Sequence, residues 1–122
     1  PQLYTMSVAG GAIRRVPTNI SRYCAEPDWN RINENKIAFT MGIGRGFQVG
    51  VYDFAKRKSE QVSRAPYDAV EPCWLADGRH LVYTQRDQRT SRIYILDTES
   101  GRSTALTPAN FGPAVQANAW PR

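Results

Sequence analysis

Apolar and polar positions alternate along this chain in short runs, and glycine, proline, asparagine or aspartate interrupts them roughly every 8–12 residues. Ile37-Ala38-Phe39-Thr40 and Leu81-Val82-Tyr83-Thr84 are β-branched and aromatic runs that suit a pleated, half-buried surface. Near the start, Leu3, Thr5 and Ser7 alternate with Tyr4, Met6 and Val8. Ala9-Gly10-Gly11 then turns and Ala12 to Val16 returns, which predicts a hairpin over Gln2 to Val16. No window sustains a 3.6-residue period, so an all-β chain is expected.

The runs repeat. Glu71-Pro72-Cys73-Trp74 leads through Asp77-Gly78, where both residues tolerate positive φ, into Leu81 to Thr84. Glu26-Pro27-Asp28-Trp29 leads through the polar stretch Asn30 to Asn35 into Ile37 to Thr40, and the design starts again at Gln116-Ala117-Asn118-Ala119-Trp120. Trp29, Trp74 and Trp120 are the only tryptophans and stand 45 and 46 residues apart. Gln2 to Ser7, Gln48 to Asp53 and Arg92 to Asp97 correspond in the same way, their starts 46 and 44 residues apart. Each is followed by a polar turn (Gly10-Gly11, Lys56-Arg57, Ser100-Gly101) and a short returning strand ending at Pro17, Ser63 and Thr107. One repeat thus carries four strands, a to d.

Four antiparallel strands recurring every ~40–45 residues mark a β-propeller blade, whose faces are buried only against neighbouring blades. Residues 1–17 supply strands c and d of one blade, 24–63 a second blade, 69–107 a third, and 114–122 the first strand of a further one. The chain reads as a partial propeller of about three blades, half of a six-bladed ring. It is expected to be a piece of a larger propeller or to pair with a second copy as a homodimer that completes the ring.

Composition narrows the function. Sixteen Lys and Arg against eleven Asp and Glu give a net charge of +5, but the cations are scattered apart from Lys56-Arg57-Lys58. A nucleic-acid surface calls for a denser stripe interleaved with aromatics, so no nucleic-acid partner is expected. No apolar run approaches the roughly 20 residues of a membrane-spanning helix. Cys24 and Cys73 lack Cys-x-x-Cys spacing and occupy different repeat positions, which reads as two buried thiols, with a disulfide as the lesser alternative, rather than a metal site.

Candidate chemistry is sparse. His80 is the only histidine, with no serine or cysteine placed to form a nucleophile–base pair, and no Gly-x-Ser-x-Gly elbow is present. Gly42-Ile43-Gly44-Arg45-Gly46 reads as a b–c turn, not a phosphate loop. Asp53 and Asp97, ending strand c, read as turn-forming carboxylates. No catalytic residue, metal or cofactor is expected. Glu26 and Glu71, with Gln116 in the third copy, recur at the head of strand a, which lines the channel of a propeller. The d–a connections bring Arg22, Tyr23, Tyr67, Asp68 and Phe111, and arginine and aromatics are favoured where proteins dock. These eight residues are the expected partner-binding set.

The motif Glu-Pro-x-Trp-x-x-Asp-Gly-Arg-x-Leu-Val-Tyr-Thr over Glu71 to Thr84, with Ile93-Tyr94-Ile95-Leu96-Asp97 and Ala105-Leu106-Thr107, resembles the blade repeat of TolB-type propellers. That repeat runs Pro-x-Trp-Ser-Pro-Asp-Gly-(Lys/Arg)-x-Ile-Ala-Phe-Thr, then Ile-Tyr-Val-Met-Asp, then Arg-Leu-Thr. Residues 26–40 match with departures: Asn30 to Asn35 replaces Ser-Pro-Asp-Gly with two extra residues, and in the later blade Leu75-Ala76 replaces Ser-Pro. The resemblance covers nearly the whole chain. It implies a non-catalytic, six-bladed C-terminal propeller in the periplasm that binds the peptidoglycan-associated lipoprotein Pal and helps maintain the outer membrane. The family's N-terminal α/β domain has no counterpart here, which fits a fragment. Related blades occur in prolyl-oligopeptidase-like hydrolases, where the propeller gates substrate, and this is the alternative reading.

Overall fold

A computed structural model describes residues 1–107. The described strands, in chain order, are β1 (Tyr4–Thr5), β2 (Arg14–Arg15), β3 (Cys24–Trp29), β4 (Lys36–Ile43), β5 (Gly46–Asp53), β6 (Lys58–Gln61), β7 (Asp68–Trp74), β8 (His80–Arg86), β9 (Ser91–Asp97) and β10 (Ser103–Ala105). No helix occurs among the described residues. Two four-stranded antiparallel sheets run β3-β4-β5-β6 and β7-β8-β9-β10, each in sequence order, and β1 and β2 form a two-stranded sheet of their own. The stretch expected to supply a further strand, with Phe111 and Gln116, lies outside the described residues.

Strand period explains how the layers hold. Ile37, Phe39 and Met41 of β4 point to one face and pack with Leu3, Val16, Cys24 and Tyr52 beneath the N-terminal hairpin. Ala38, between them, points the other way and joins Val49 and Val51 of β5 against Ala69, Trp74, Leu81, Tyr83 and Leu96 of the next sheet. Both faces of the β3–β6 sheet are therefore core, which is why β4 reads as an almost continuous apolar run. Each fully buried aromatic, such as Phe39, Tyr52 or Tyr83, stabilises the stack by about 1.5–3 kcal/mol through removal from water.

Three local readings change. The N-terminal hairpin pairs Tyr4 with Arg15 and Thr5 with Arg14, and the Val16 amide donates to the Leu3 carbonyl at 2.8 Å, so its ladder is shorter than the full Gln2 to Val16 stretch. Among the described residues β1 and β2 pair only with each other, and a two-stranded ribbon has little to hold a longer ladder together. In the a–b turn only Gly78 takes positive φ (69°), while the Asp77 carboxylate accepts the Arg79 and His80 amides at 2.9 and 3.0 Å. Asp77 therefore serves by its side chain, not by its backbone. Finally, Trp74 is 4% exposed but Trp29 is 47% exposed, although the two share a repeat position. Trp74 has the preceding blade to cover it. Trp29 instead stacks on Phe54 within its own sheet, ring centroids 5.6 Å apart.

Candidate protein-binding face

The register sets which loops share an end. Asp68, opening β7, lies opposite Arg86, closing β8, so the d–a loops and b–c turns meet at one end of the blades. The a–b and c–d turns occupy the other. Partway along, β3 and β7 each carry a bulge, between Ala25 and Asp28 and between Val70 and Cys73. Glu26 and Glu71 sit in these bulges with φ of 54° and 57°. Left-handed backbone on a non-glycine residue ahead of proline costs on the order of 1–3 kcal/mol, and a bulge of this kind re-aims its side chain. The same device in both blades aims two carboxylates out of the ladder.

Glu71 is fixed by its amide, which donates to the Thr40 hydroxyl of the neighbouring blade at 3.0 Å. One of its carboxylate oxygens is buried without a hydrogen-bond partner. Burial, and next the Glu26 charge, push its pKa above the ordinary carboxyl value, and Arg86 pulls it back. Glu26 itself is exposed.

The d–a loops are stapled by a residue that the sequence pattern showed only as an alignment marker. The Gln2 amide donates to the Ser21 and Arg22 carbonyls at 3.1 and 2.8 Å. Gln48, at the same repeat position, donates to the Ala65 and Tyr67 carbonyls, both at 3.1 Å, and accepts from the Ala65 amide and the Ser63 hydroxyl. In the third copy Arg92 donates to the Thr107 carbonyl at 3.1 and 3.0 Å. The recurrence of a long amide or guanidinium opening strand c was the available signal.

Held this way, Tyr23 and Tyr67 stay 37% and 51% exposed. Tyr23 tilts against Phe47, centroids 5.1 Å apart. Asp68 accepts the Phe47 amide at 3.0 Å, and its Oδ1 lies 2.6 Å from where a Cβ on Gly46 would stand, so a larger residue there would push this carboxylate aside. Arg22 is exposed on its loop. Of the eight expected residues, Arg22, Tyr23, Tyr67 and Asp68 thus lie at one end, while Glu26 and Glu71 sit in the bulges partway along β3 and β7. Beside Tyr67 and Asp68 a groove of about 580 Å³ opens, completed by Arg86, Asp87, Gln88 and Arg89. Arg86 ends β8 and the other three belong to the β8–β9 turn; none of the four was singled out from the sequence.

Two side chains that lock the blades together were also missed. The Asp28 carboxylate accepts the Trp74 amide at 2.8 Å and its carbonyl accepts the Trp74 indole at 3.1 Å. Fully buried Asn30 accepts the Ile32 and Asn33 amides and donates to the Gly78 carbonyl of the next blade at 2.7 Å. The two extra residues of the Asn30 to Asn35 stretch make the turn that Asn30 caps.

The opposite end holds the charge pairs. Arg79 engages Asp97 through two hydrogen bonds of 2.9 and 2.7 Å, with Glu99 at 3.3 Å. His80 Nδ1 lies 2.5 Å from Asp77 Oδ2. Cys24 and Cys73 are both buried and free. Among the described residues no cluster of three His, Cys, Asp or Glu could hold a metal, and no helix is long and apolar enough to cross a membrane.

Blades of four antiparallel strands stacked face to face define this chain as part of a β-propeller. No family model matches it. The Tol-Pal system protein TolB of Chromobacterium violaceum is 26% identical over 76 residues, which cover 62% of this chain and 17% of that protein. TolB from Acinetobacter baumannii superposes with a TM-score of 0.72 at 17% identity, over 87% of this chain and 26% of that one. The β-propeller domain of the Trilobed protease from Pyrococcus furiosus gives 0.62 at 19% identity, over 88% and 34%. The chain spans well under half the length of each. Its four-stranded repeat is similar to that of TolB-type β-propellers.

Proposed function

We propose that this chain is a non-catalytic, TolB-like propeller unit of the cell envelope that binds a protein partner, by resemblance a Pal-type lipoprotein in the periplasm. The observation that carries the reading is the shared end of the blades, where loops stapled by Gln2 and Gln48 present Arg22, Tyr23, Tyr67 and Asp68 beside the bulged Glu26 and Glu71. Rigid aromatic and charged groups on ordered loops bind with little entropy loss. Phe111 and Gln116 extend this set in the sequence pattern. The test is calorimetric titration of the purified chain with the soluble domain of a Pal-type lipoprotein. Tyr23→Ala and Tyr67→Ala are each expected to weaken binding at least tenfold without changing the circular dichroism. Full-strength binding by the double variant would sink the reading.

A second reading is supported by the protease propeller among the structural neighbours. In it the unit gates substrate for a hydrolase domain encoded on the same longer chain, and a hydrolase reading frame continuous with this sequence would favour it.

A further inference from the structure

The groove between Tyr67 and the β8–β9 turn joins an exposed aromatic ring to two exposed guanidinium groups on a fixed frame. Gln48 holds the Ala65 and Tyr67 carbonyls, so the loop beneath the ring is set before any partner arrives. Arg86 ends β8 opposite Asp68. Arg89 sits in a turn fixed by Asp87, whose carboxylate accepts the Arg89 and Thr90 amides at 2.8 and 2.7 Å. Two acidic neighbours are tied to backbone donors, Asp68 to Phe47 and Asp87 to its own turn, while a third, Glu71, lies within the field of Arg86 and is pushed toward its neutral form by burial. Among the described residues neither Arg86 nor Arg89 forms an ion pair with a carboxylate.

We propose that this groove takes an extended acidic segment of a protein partner, with one carboxylate on Arg86, another on Arg89, and an apolar side chain against the Tyr67 ring. The proposal rests on the protein-binding reading above and names its partner chemistry. Guanidinium forks bind carboxylates through two parallel hydrogen bonds, and tyrosine with arginine is the pairing that dominates docking energetics. Carboxylates spaced along a peptide can meet each arginine while passing Asp68 and Asp87. A nucleic-acid backbone, charged at every phosphate, would be forced against both aspartates.

Fluorescence anisotropy with a labelled decapeptide of alternating glutamate and leucine tests it, beside a lysine–leucine counterpart and a single-stranded DNA decamer. The acidic peptide is expected to bind at low salt and weaken as salt rises, while the basic peptide does not bind. Arg86→Gln with Arg89→Gln is expected to raise its Kd at least tenfold, and Tyr67→Ala severalfold. Lys56→Gln with Lys58→Gln, the same charge loss at the far end of the blades, is expected to leave it within twofold. Equal loss from the two double variants, or tighter binding of the DNA, would overturn the proposal. If the lipoprotein domain still binds in a Tyr23-dependent way while Arg86→Gln with Arg89→Gln changes nothing, the acidic-segment inference fails and the protein-binding reading stands.

Discussion

Asn30 and Asp77 show how much of this fold depends on single polar side chains in turns. Asn30 is fully buried and satisfies two amides of its own turn and a carbonyl of the next blade. Asn30→Ala leaves those groups orphaned, each at a cost of roughly 1–3 kcal/mol. The expected outcome is a urea midpoint lowered by an amount equivalent to about 2–4 kcal/mol, read by tryptophan fluorescence. A change within error would mean that water replaces the amide. Asp77 acts through charge. The His80 amide, more than any other contact, lowers its pKa from 3.8 to about 2. Because the folded value lies below the unfolded one, this contribution is present above pH ~4 and fades as pH falls toward about 2. Asp77→Asn is expected to flatten the fall in urea midpoint between pH 4 and pH 2, and an unchanged slope would remove Asp77 as its source.

At the scale of the element, the N-terminal hairpin and the central strands behave differently. β4 lies between two strands and is buried on both faces, whereas β1 pairs with β2 alone and exposes Tyr4, Met6, Val8 and Ile13. Two-stranded ribbons are marginal on their own. Hydrogen exchange is therefore expected to be fast at the β1–β2 ladder and slowest at Phe39, Val49 and Leu81; equal protection across these sites would contradict this ranking. The same contrast explains what could be read from the sequence. Ile37 to Thr40 and Leu81 to Thr84 were legible as strands because their burial is set by local alternation and by the repeat. The Gln2 to Val16 hairpin closes at Leu3 and Val16 as its alternation predicts, but its ladder is short because, among the described residues, no further strand pairs with it. Asp28, Asn30 and Gln48 were not legible as locks and staples, since their partners lie 17 to 48 residues away. The bulges were hidden for another reason: Glu-Pro gives no cue to left-handed backbone, which only the opposing strand's register reveals. Arg86 and Arg89 stayed unread because only the folded register brings their turn beside Tyr67.

On the scale of the whole molecule, apolar surface at one side of the stack decides how the chain behaves in solution. Trp29, 47% exposed, lies on the blade next to the hairpin, which adds Tyr4 and Met6 at 61% each. On the next blade the residue equivalent to Trp29, Trp74, is buried by its neighbour and donates two hydrogen bonds to Asp28 of that neighbour. A blade face that finds such a neighbour gains roughly 25 cal/mol for each Å² of apolar surface covered, and one that does not remains an association site. The chain at micromolar concentration is therefore expected to self-associate. Light scattering during size exclusion should give a mass that rises toward twice the monomer, while Trp29 emission shifts to shorter wavelength. Trp29→Lys should return the mass to that of the monomer, because a buried ammonium without a partner opposes assembly. Wild-type chain that stays monomeric and well folded across the whole concentration range would mean that this face tolerates water, and the two-copy ring would be abandoned.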